Sequence, residues 1–516
     1  MASQIKRAVE RYGPDRVVAT SFTRAAATEL AGRDIPIPEA HLGTLHALCY
    51  RAMGSPDIAE TKLPEWNEFV DAYHRLSGTG ADIDEPAEFE GKTVGDWLLR
   101  DYMVRRARME PEETWPSDIR SFHAKWSDWK SQTGYVDFVD MLEFGIEGMS
   151  TAPGAPKALF CDETQDCSRL QFALLRKWGA QVETFILVGD EDQSIYVWNG
   201  ASPEDMLDPP LPDENVLVLR HSYRLPRTIH SLADKWIRRV KRRQPKDYAP
   251  RDAEGVVRVI GEEQGAAHWK APSKIIELLE GEGTAMALTT CSYMLAPLLS
   301  ELRSRGIPFH NPYRRRRGDW NPLAGRIARD ALIAFLRPDP RQFGSGARRW
   351  MWGDLASWVP LIRAKGNLRR GAKKIVSERG QDYAVAEVSS LLEIFEEGAL
   401  QSALDLDLKW FSSSLLKKND YHLEVLRKHG VAGLMNTPRT IVGTIHSVKG
   451  GESDRVVLFP DLSRAGYKDW TDKAGKDNVI RQFYVGMTRA REELILCKPR
   501  VWGRNSVVPA VKWPLI

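Results

Sequence analysis

The sequence predicts an α/β protein built on two parallel sheets, each interrupted by a long helical segment. Three observations predict it. Short apolar runs of strand length alternate with helix-like stretches, and their apolar residues are consecutive, as in strands covered on both faces. Two stretches, 51–150 and about 320–435, are rich in residues at helical spacing and contain no strong strand. Two of the apolar runs end in acidic turns, Asp162-Glu163 and Gly189-Asp190.

In chain order, residues 4–12 read as the tail of an amphipathic helix, broken by Gly13-Pro14-Asp15. A strand is expected at 16–22, followed by a helix with Thr23 as N-cap. Further strands are expected at 157–162, 184–189 and 215–219, all parallel. A second α/β signal begins at Ala285-Met286-Ala287-Leu288-Thr289. It returns at Thr440-Ile441-Val442-Gly443-Thr444 and at Arg455-Val456-Val457-Leu458-Phe459. The expected division is therefore a first sheet domain of 1–50 and 151–225, interrupted by a helical insertion at 51–150. A second sheet domain of 226–320 and 436–516 is interrupted at 321–435.

At 516 residues the chain is long enough for two to four domains. Apolar residues at 42% and charged residues at 28% place it among ordinary globular proteins. No run of eighteen apolar residues occurs, so no membrane span is expected, and MASQIKRAVERYG does not read as a signal peptide. Cys49, Cys161, Cys167, Cys291 and Cys497 are scattered and odd in number, which predicts reduced thiols, a cytoplasmic setting and no structural zinc. A net charge of +3 neither requires nor excludes nucleic acid. The basic runs Arg238–Arg243 and Arg314–Arg317 read first as solvated faces and second as phosphate contacts.

The strongest chemical signal is Leu159-Phe160-Cys161-Asp162-Glu163-Thr164-Gln165-Asp166. An apolar strand ending in Asp-Glu puts one carboxylate where it can hold Mg²⁺ and a second where it can orient and deprotonate a water. Alone, such a pair is more often a solvated acidic turn. Downstream come Leu187-Val188-Gly189-Asp190-Glu191-Asp192-Gln193-Ser194-Ile195-Tyr196 and Arg220-His221-Ser222-Tyr223-Arg224. Two more blocks follow: Gly443-Thr444-Ile445-His446-Ser447-Val448-Lys449-Gly450-Gly451-Glu452 and Phe483-Tyr484-Val485-Gly486-Met487-Thr488-Arg489-Ala490-Arg491.

In order and spacing these blocks resemble motifs II to VI of UvrD/Rep-type superfamily 1 DNA helicases. Ala19–Ala27 resembles motif Ia, Leu42–Leu48 resembles motif Ib, and Gly306–His310 resembles a segment of the second motor domain. The resemblance covers nearly the whole chain. It implies two RecA-like domains of the P-loop NTPase type, ATP and Mg²⁺ as cofactors, and 3′-to-5′ movement on DNA. Asp162 would hold the metal, Glu163 would be the base, and Gln193 would position water and γ-phosphate. Arg224 and Arg489 would be arginine fingers, since guanidinium matches phosphate bidentately. Glu452 would meet the ribose, with Lys449 also on the nucleotide side, and Arg491 would be a surface residue. Phe22, Tyr196, Trp198 and His446 would face single strand, with core packing as their rival reading. His46 would lie on the same face, and Thr44 and Thr444 would bind backbone phosphates through their hydroxyls.

The chain departs from the pattern at Asn199, where the family often has Arg, and at Gly451, where Leu is usual. The larger departure is the phosphate loop. The family carries G-x-x-G-x-G-K-[ST] upstream of motif Ia, and here only residues 1–12 precede Gly13. Gly91-Lys92-Thr93 is a decoy, because a matching loop needs glycine at Pro86. The expectation is a gap in the first sheet where the loop's strand belongs. Three accounts of it stay open: a true start that lies upstream or a coding region interrupted near the loop, a separate chain that completes the sheet, or a non-catalytic single-stranded DNA-binding or regulatory remnant. The expected partners are single-stranded DNA and single-strand/duplex junctions, with no membrane.

Overall fold

The computed structural model describes residues 1–22, 36–78, 91–260, 267–314, 320–324, 327–336, 350–382, 384–405, 420–473, 475–502, 506–507 and 510–513. The helix expected from Thr23, and Arg315–Arg317 of the second basic run, lie outside the described residues. The chain forms two compact units, one of Met1–Glu254 with Arg464–Thr488, the other of Gly255–Ser463 with Arg489–Trp513.

The first unit holds a parallel sheet of β1 (Val17–Ser21), β2 (Leu42–Gly43), β3 (Ala158–Asp162) and β4 (Thr184–Leu187), in the order β2-β1-β3-β4. Ser21 lies opposite Asp162, and Cys161 opposite Leu187. The consecutive apolar residues of β1 and β3 have the expected cause. Val17, Ala19, Ala158 and Phe160 pack under the helix Ala2–Tyr12 through Ile5 and Ala8. Val18, Leu159 and Cys161 pack on the other face against Leu45, Leu48, Leu142, Leu174 and Trp178.

The strand expected at 215–219 is absent. Asp213–Asn215 is a single 3-10 turn, the following residues are irregular, and Leu217 and Leu219 are 83% and 76% exposed. An apolar run becomes a strand only when a neighbour satisfies its backbone. Among the described residues this run has no ladder partner, and β4 is the last strand on its side of the sheet.

The described residues of the stretch 51–150 contribute helices and no strand of a sheet. Its helices Leu63–Phe69, Val94–Ala107 and Ser117–Thr133 enclose a separate core of Trp66, Tyr102, Trp115, Phe122, Trp126 and Trp129. The decoy Gly91-Lys92-Thr93 is a helix start: the Thr93 hydroxyl accepts from the Asp96 amide, and the Asp96 carboxylate accepts from the Lys92 and Thr93 amides. Under this core Asp137 is fully buried. It accepts from Arg106, Lys130 and the Trp126 indole while capping the helix Phe138–Gly148. Burial opposes its charge, but Arg106 and Lys130 outweigh that and bring its pKa down to about 2. The helices Arg227–Ile237 and Lys476–Met487 also pack in this unit, where the Trp236 indole donates to the Ile480 carbonyl.

The second unit holds six parallel strands: β5 (Val256–Val259), β6 (Ala285–Thr289), β7 (Phe309–His310), β8 (Thr440–Thr444), β9 (Ser453–Leu458) and β10 (Ala490–Leu496). Their order is β5-β10-β9-β6-β8-β7. β6 and β8 are wholly buried. The stretch 321–435 contributes helices around a core that includes Phe335, Trp350, Trp352, Trp358 and Phe395. Both units are therefore α/β with parallel, RecA-like sheets.

Candidate functional site

The end of β3 sets the first group. Asp162 is half-buried there, and its carboxylate accepts from the Glu163 amide at 3.1 Å. Glu163 has φ 55° and ψ 35°, a left-handed conformation that costs a non-glycine residue about 1 kcal/mol or more. Its carboxylate accepts from the Gln165 amide group at 2.6 Å, and the Gln165 carbonyl oxygen accepts from the Asp190 backbone at 3.0 Å. Gln193 then donates to the Asp190 carboxylate at 2.8 Å. Four of these side chains thus form one hydrogen-bonded chain from Glu163 to Gln193. The turn after β4 needs a glycine: a Cβ on Gly189 would lie 2.5 Å from Oε1 of Gln165 and 2.7 Å from Oγ1 of Thr164.

A second layer of charge holds that turn. Nζ of Lys246 lies 2.7 Å from Asp190, 2.7 Å from Glu191 and 3.0 Å from Asp192, and Arg243 pairs with Asp192 at 2.6 Å. Burial works against the charge on Asp190, but Lys246 and Gln193 leave its pKa below the ordinary carboxylate value. Burial likewise works against Lys246, and the three carboxylates more than reverse it, raising its pKa above that of ordinary lysine. The run 238–243 accordingly divides among neighbours. Arg238 pairs with Asp234, Arg239 stacks on Trp236 and Trp470, and Arg242 pairs with Asp208.

The aromatic candidates in this unit meet. Phe22 stacks on Tyr196 with centroids 6.1 Å apart, and Tyr196 meets Trp198 edge-on at 6.3 Å. Tyr196 is 7% exposed, whereas Phe22 and Trp198 are half-buried. The loop carrying them is held from the helical stretch: Arg108 donates to the Val197 carbonyl at 2.7 Å and Arg100 to the Trp198 carbonyl at 3.4 Å. Thr44 caps the helix Leu45–Ala52 by accepting from the Ala47 amide, and His46 sits edge-on to Phe138. Arg224 is half-buried after Ser222, whose hydroxyl accepts from the Arg224 and Leu225 amides.

In the second unit, Thr444 ends β8 as Thr44 follows β2: it is buried, and its hydroxyl accepts from the Ser447 amide at 3.2 Å. His446 and Lys449 follow in the same turn and are half-buried. Arg489 is 1% exposed and donates to the Gly451 carbonyl at 3.1 Å. Glu452 pairs with Arg491 at 3.2 Å, and its amide donates to the Tyr313 hydroxyl. The glycine at 451 has a physical reason: a Cβ there would lie 2.3 Å from the Tyr313 ring, which occupies the space of a larger side chain.

Mg²⁺ is commonly held by one or two carboxylates, with waters and substrate phosphates completing the octahedron. Asp162 fits that role. Beside it in register, the Ser21 hydroxyl is buried without a hydrogen-bond partner among the described residues. Each carboxylate of 190–192 is already paired with a cation, all three with Lys246 and Asp192 also with Arg243. Among the described residues no group of three or more His, Cys, Asp or Glu could hold a metal by itself. No Gly-rich loop that would cradle phosphates occurs among them either. Sequence reasoning missed Gln165, Lys246, Arg100 and Arg108, and it took Arg243 only as part of a basic run rather than as the partner of Asp192. Gln165 lay inside a quoted block, but the four cations carry no local pattern that ties them to their distant partners.

Residues 109–209, which include Asp162, Glu163, Gln193, Tyr196 and Trp198, match the UvrD/REP helicase N-terminal domain. Over 274 residues the chain is 24% identical to ATP-dependent DNA helicase PcrA of Bacillus subtilis, across 48% of this chain and 36% of that protein. Over 254 residues it is 24% identical to DNA helicase II of Escherichia coli, across 44% of this chain and 35% of that protein. A shorter stretch of 87 residues is 34% identical to PcrA of Staphylococcus aureus, across 16% of this chain and 12% of that protein. The matches to the first two thus span about a third of each relative's length.

Proposed function

Because the chain belongs to the UvrD/Rep type of superfamily 1 helicases, we propose that it is the body of an ATP-driven motor on single-stranded DNA. It moves 3′ to 5′, opens duplex at junctions and works in the cytoplasm. The observation that carries this reading is the hydrogen-bonded chain Glu163–Gln165–Asp190–Gln193, which sits in one unit with the aromatic row Phe22–Tyr196–Trp198. In this role Asp162 holds the metal and Glu163 accepts the proton of the attacking water, with Gln193 orienting that water. Arg224 and Arg489 supply positive charge, and Glu452 and Lys449 serve the nucleotide. Thr44, His46, Thr444 and His446 contact the strand. Bound ATP with Mg²⁺ supplies the phosphoanhydride whose cleavage drives movement. A phosphate cradle comes from outside the described residues, either from an upstream extension or from a separate chain.

The rival reading is a non-catalytic single-stranded DNA-binding or regulatory protein, a role that the aromatic row Phe22–Tyr196–Trp198 would serve without hydrolysis. One experiment separates the two. ATP hydrolysis is measured with and without single-stranded DNA, for the chain alone and with a P-loop-bearing segment supplied upstream or in trans. The motor reading expects DNA-stimulated hydrolysis in at least the completed form, lost in Glu163→Gln and in Arg489→Ala, because such groups act as a unit. Salt-sensitive DNA binding with no hydrolysis in either form refutes it and supports the rival.

A further inference from the structure

The aromatic row of the first unit does not end at Trp198. The guanidinium of Arg100 lies 5.0 Å from the Trp198 ring centroid and 5.8 Å from that of Trp97. Both new members stand on the helix Val94–Ala107, three positions apart and therefore on one face. The start of that helix is fixed by the Thr93–Asp96 capping box. Trp97 is 52% exposed, against 7% for Tyr196. The row Phe22–Tyr196–Trp198–Arg100–Trp97 thus runs from the end of β1 onto the helical stretch, and its exposure rises from Tyr196 to Trp97.

The chemistry of the members points to one ligand. The Arg100 guanidinium lies within cation–π distance of both indoles, and it donates to the Trp198 carbonyl at 3.4 Å. An exposed indole beside a fixed cation offers a π face to a base and a charge to the adjoining phosphate. That combination suits single-stranded nucleic acid of any sequence. We propose that Trp97 and Arg100 form a further single-strand subsite on the helical stretch, Trp97 stacking on an unpaired base and Arg100 contacting the neighbouring phosphate. The subsite rests on the single-strand reading of Trp198 and extends the track by the nucleotides that pass the insertion.

The test is a length series. Fluorescein-labelled oligothymidylates of increasing length are titrated into the full chain, and Kd is read by anisotropy. Wild-type affinity rises with length until the track is filled. Trp97→Ala is expected to leave Kd unchanged for the shortest oligonucleotide that binds and to weaken the longer ones by at least about five-fold, the lower end of one lost base stack. Trp97→Phe should restore most of the loss. Arg100→Gln should lower the salt dependence on long oligonucleotides, by about 0.7 in the log–log slope for one phosphate contact on a single strand. Thermal unfolding of each variant checks that the fold is kept, and Trp97→Phe keeps the test valid if Trp97→Ala is destabilised. Equal weakening by Trp97→Ala at all lengths, or none at any, overturns the subsite. If Trp198→Ala weakens binding throughout while Trp97→Ala does not, the subsite fails and the single-strand reading stands. If Trp198→Ala changes nothing, the single-strand reading itself fails, and the subsite with it.

Discussion

Replacing Lys246 by methionine removes the one cation shared by Asp190, Glu191 and Asp192 and keeps a chain of similar length. The side chains of Glu191 and Asp192 are 2% and 1% exposed, and that of Lys246 is 14% exposed, so the lost charge is not replaced by water. Removing one partner of a buried ion pair costs about 3–5 kcal/mol. Here the lower end applies, about 3 kcal/mol. Asp192 keeps Arg243, Glu191 keeps the Gln244 amide at 2.7 Å, and Asp190 keeps Gln193. Urea denaturation of the full chain, followed by tryptophan fluorescence, reads the loss as a lower midpoint for the first unit. The pH dependence adds a second reading. The pKa of Asp190 is depressed in the folded state, so its stabilisation is present above the ordinary carboxylate pKa and is lost as pH falls below it. The wild type should lose stability over that acid range more steeply than Lys246→Met. A midpoint within about 0.5 kcal/mol of wild type at neutral pH, with an unchanged acid limb, would refute the claim that Lys246 holds this turn.

Gly189→Ala should displace Gln165, because the new methyl would sit 2.5 Å from its carbonyl oxygen. The expected cost is about 1–3 kcal/mol in unfolding, and an undiminished midpoint would show that the turn yields freely. Asp137→Ala should destabilise the helical stretch by about 3 kcal/mol, the lower end for a broken buried pair, since Arg106 and Lys130 lose their fully buried partner but both keep Asp140, and Arg106 keeps Glu143. In the wild type the corresponding term is present above about pH 4 and fades as pH falls toward 2; calorimetry at pH 7 and pH 3 reads both. Asp461, fully buried in the second unit, has the opposite sign. Burial lifts its pKa to about 6, against which the Arg500 amide works only in part. Its neutral form is therefore favoured on folding, and that contribution is lost as pH rises through 6. Asp461→Asn should stabilise the second unit by up to about 3 kcal/mol at pH 8 and by little at pH 4. An equal effect at both values would refute the assignment.

The parts of the fold that were legible in the sequence are those whose signal is local. β1 and β3 could be placed because both faces are covered, so every residue from Val17 to Ala19 and from Ala158 to Cys161 had to be apolar. The run Val216–Leu219 has the same composition and forms no strand, since strand formation depends on a neighbour that composition does not reveal. The Asp-Glu and Gly-Asp-x-x-Gln blocks could be singled out because each is contiguous, and the fold joins them through Gln165 and Asp190. Gly451 stood out as a departure, but its cause, the Tyr313 ring, lies 138 positions away and could not be read locally. The run Arg238–Arg243 shows the same limit from the other side. As a string it looks like one solvated patch; in the fold its members are parted among Asp234, Trp236, Asp208 and Asp192.

The loop 190–199 is held at both ends by residues that no motif contains. Lys246 and Arg243 fix its acidic start, while Arg108 and Arg100 take the Val197 and Trp198 carbonyls at its end. Between these anchors the chain runs from Gln193, which is tied through Asp190 and Gln165 to Glu163, to Tyr196 and Trp198, which form the aromatic row. On the proposed single-strand reading, a loop fixed in this way would lose little further freedom on stacking with a base, so more of the stacking free energy would remain as affinity. It also gives the acidic end of β3 and the stacking face a common mechanical support. On that reading a change at Lys246 should be felt at Trp198, as a weaker single-strand affinity that Lys246→Arg largely restores. Unaltered affinity in Lys246→Met, measured under conditions where the variant is folded, would mean that the Arg100 and Arg108 anchors hold the row by themselves and that the two ends of the loop are independent.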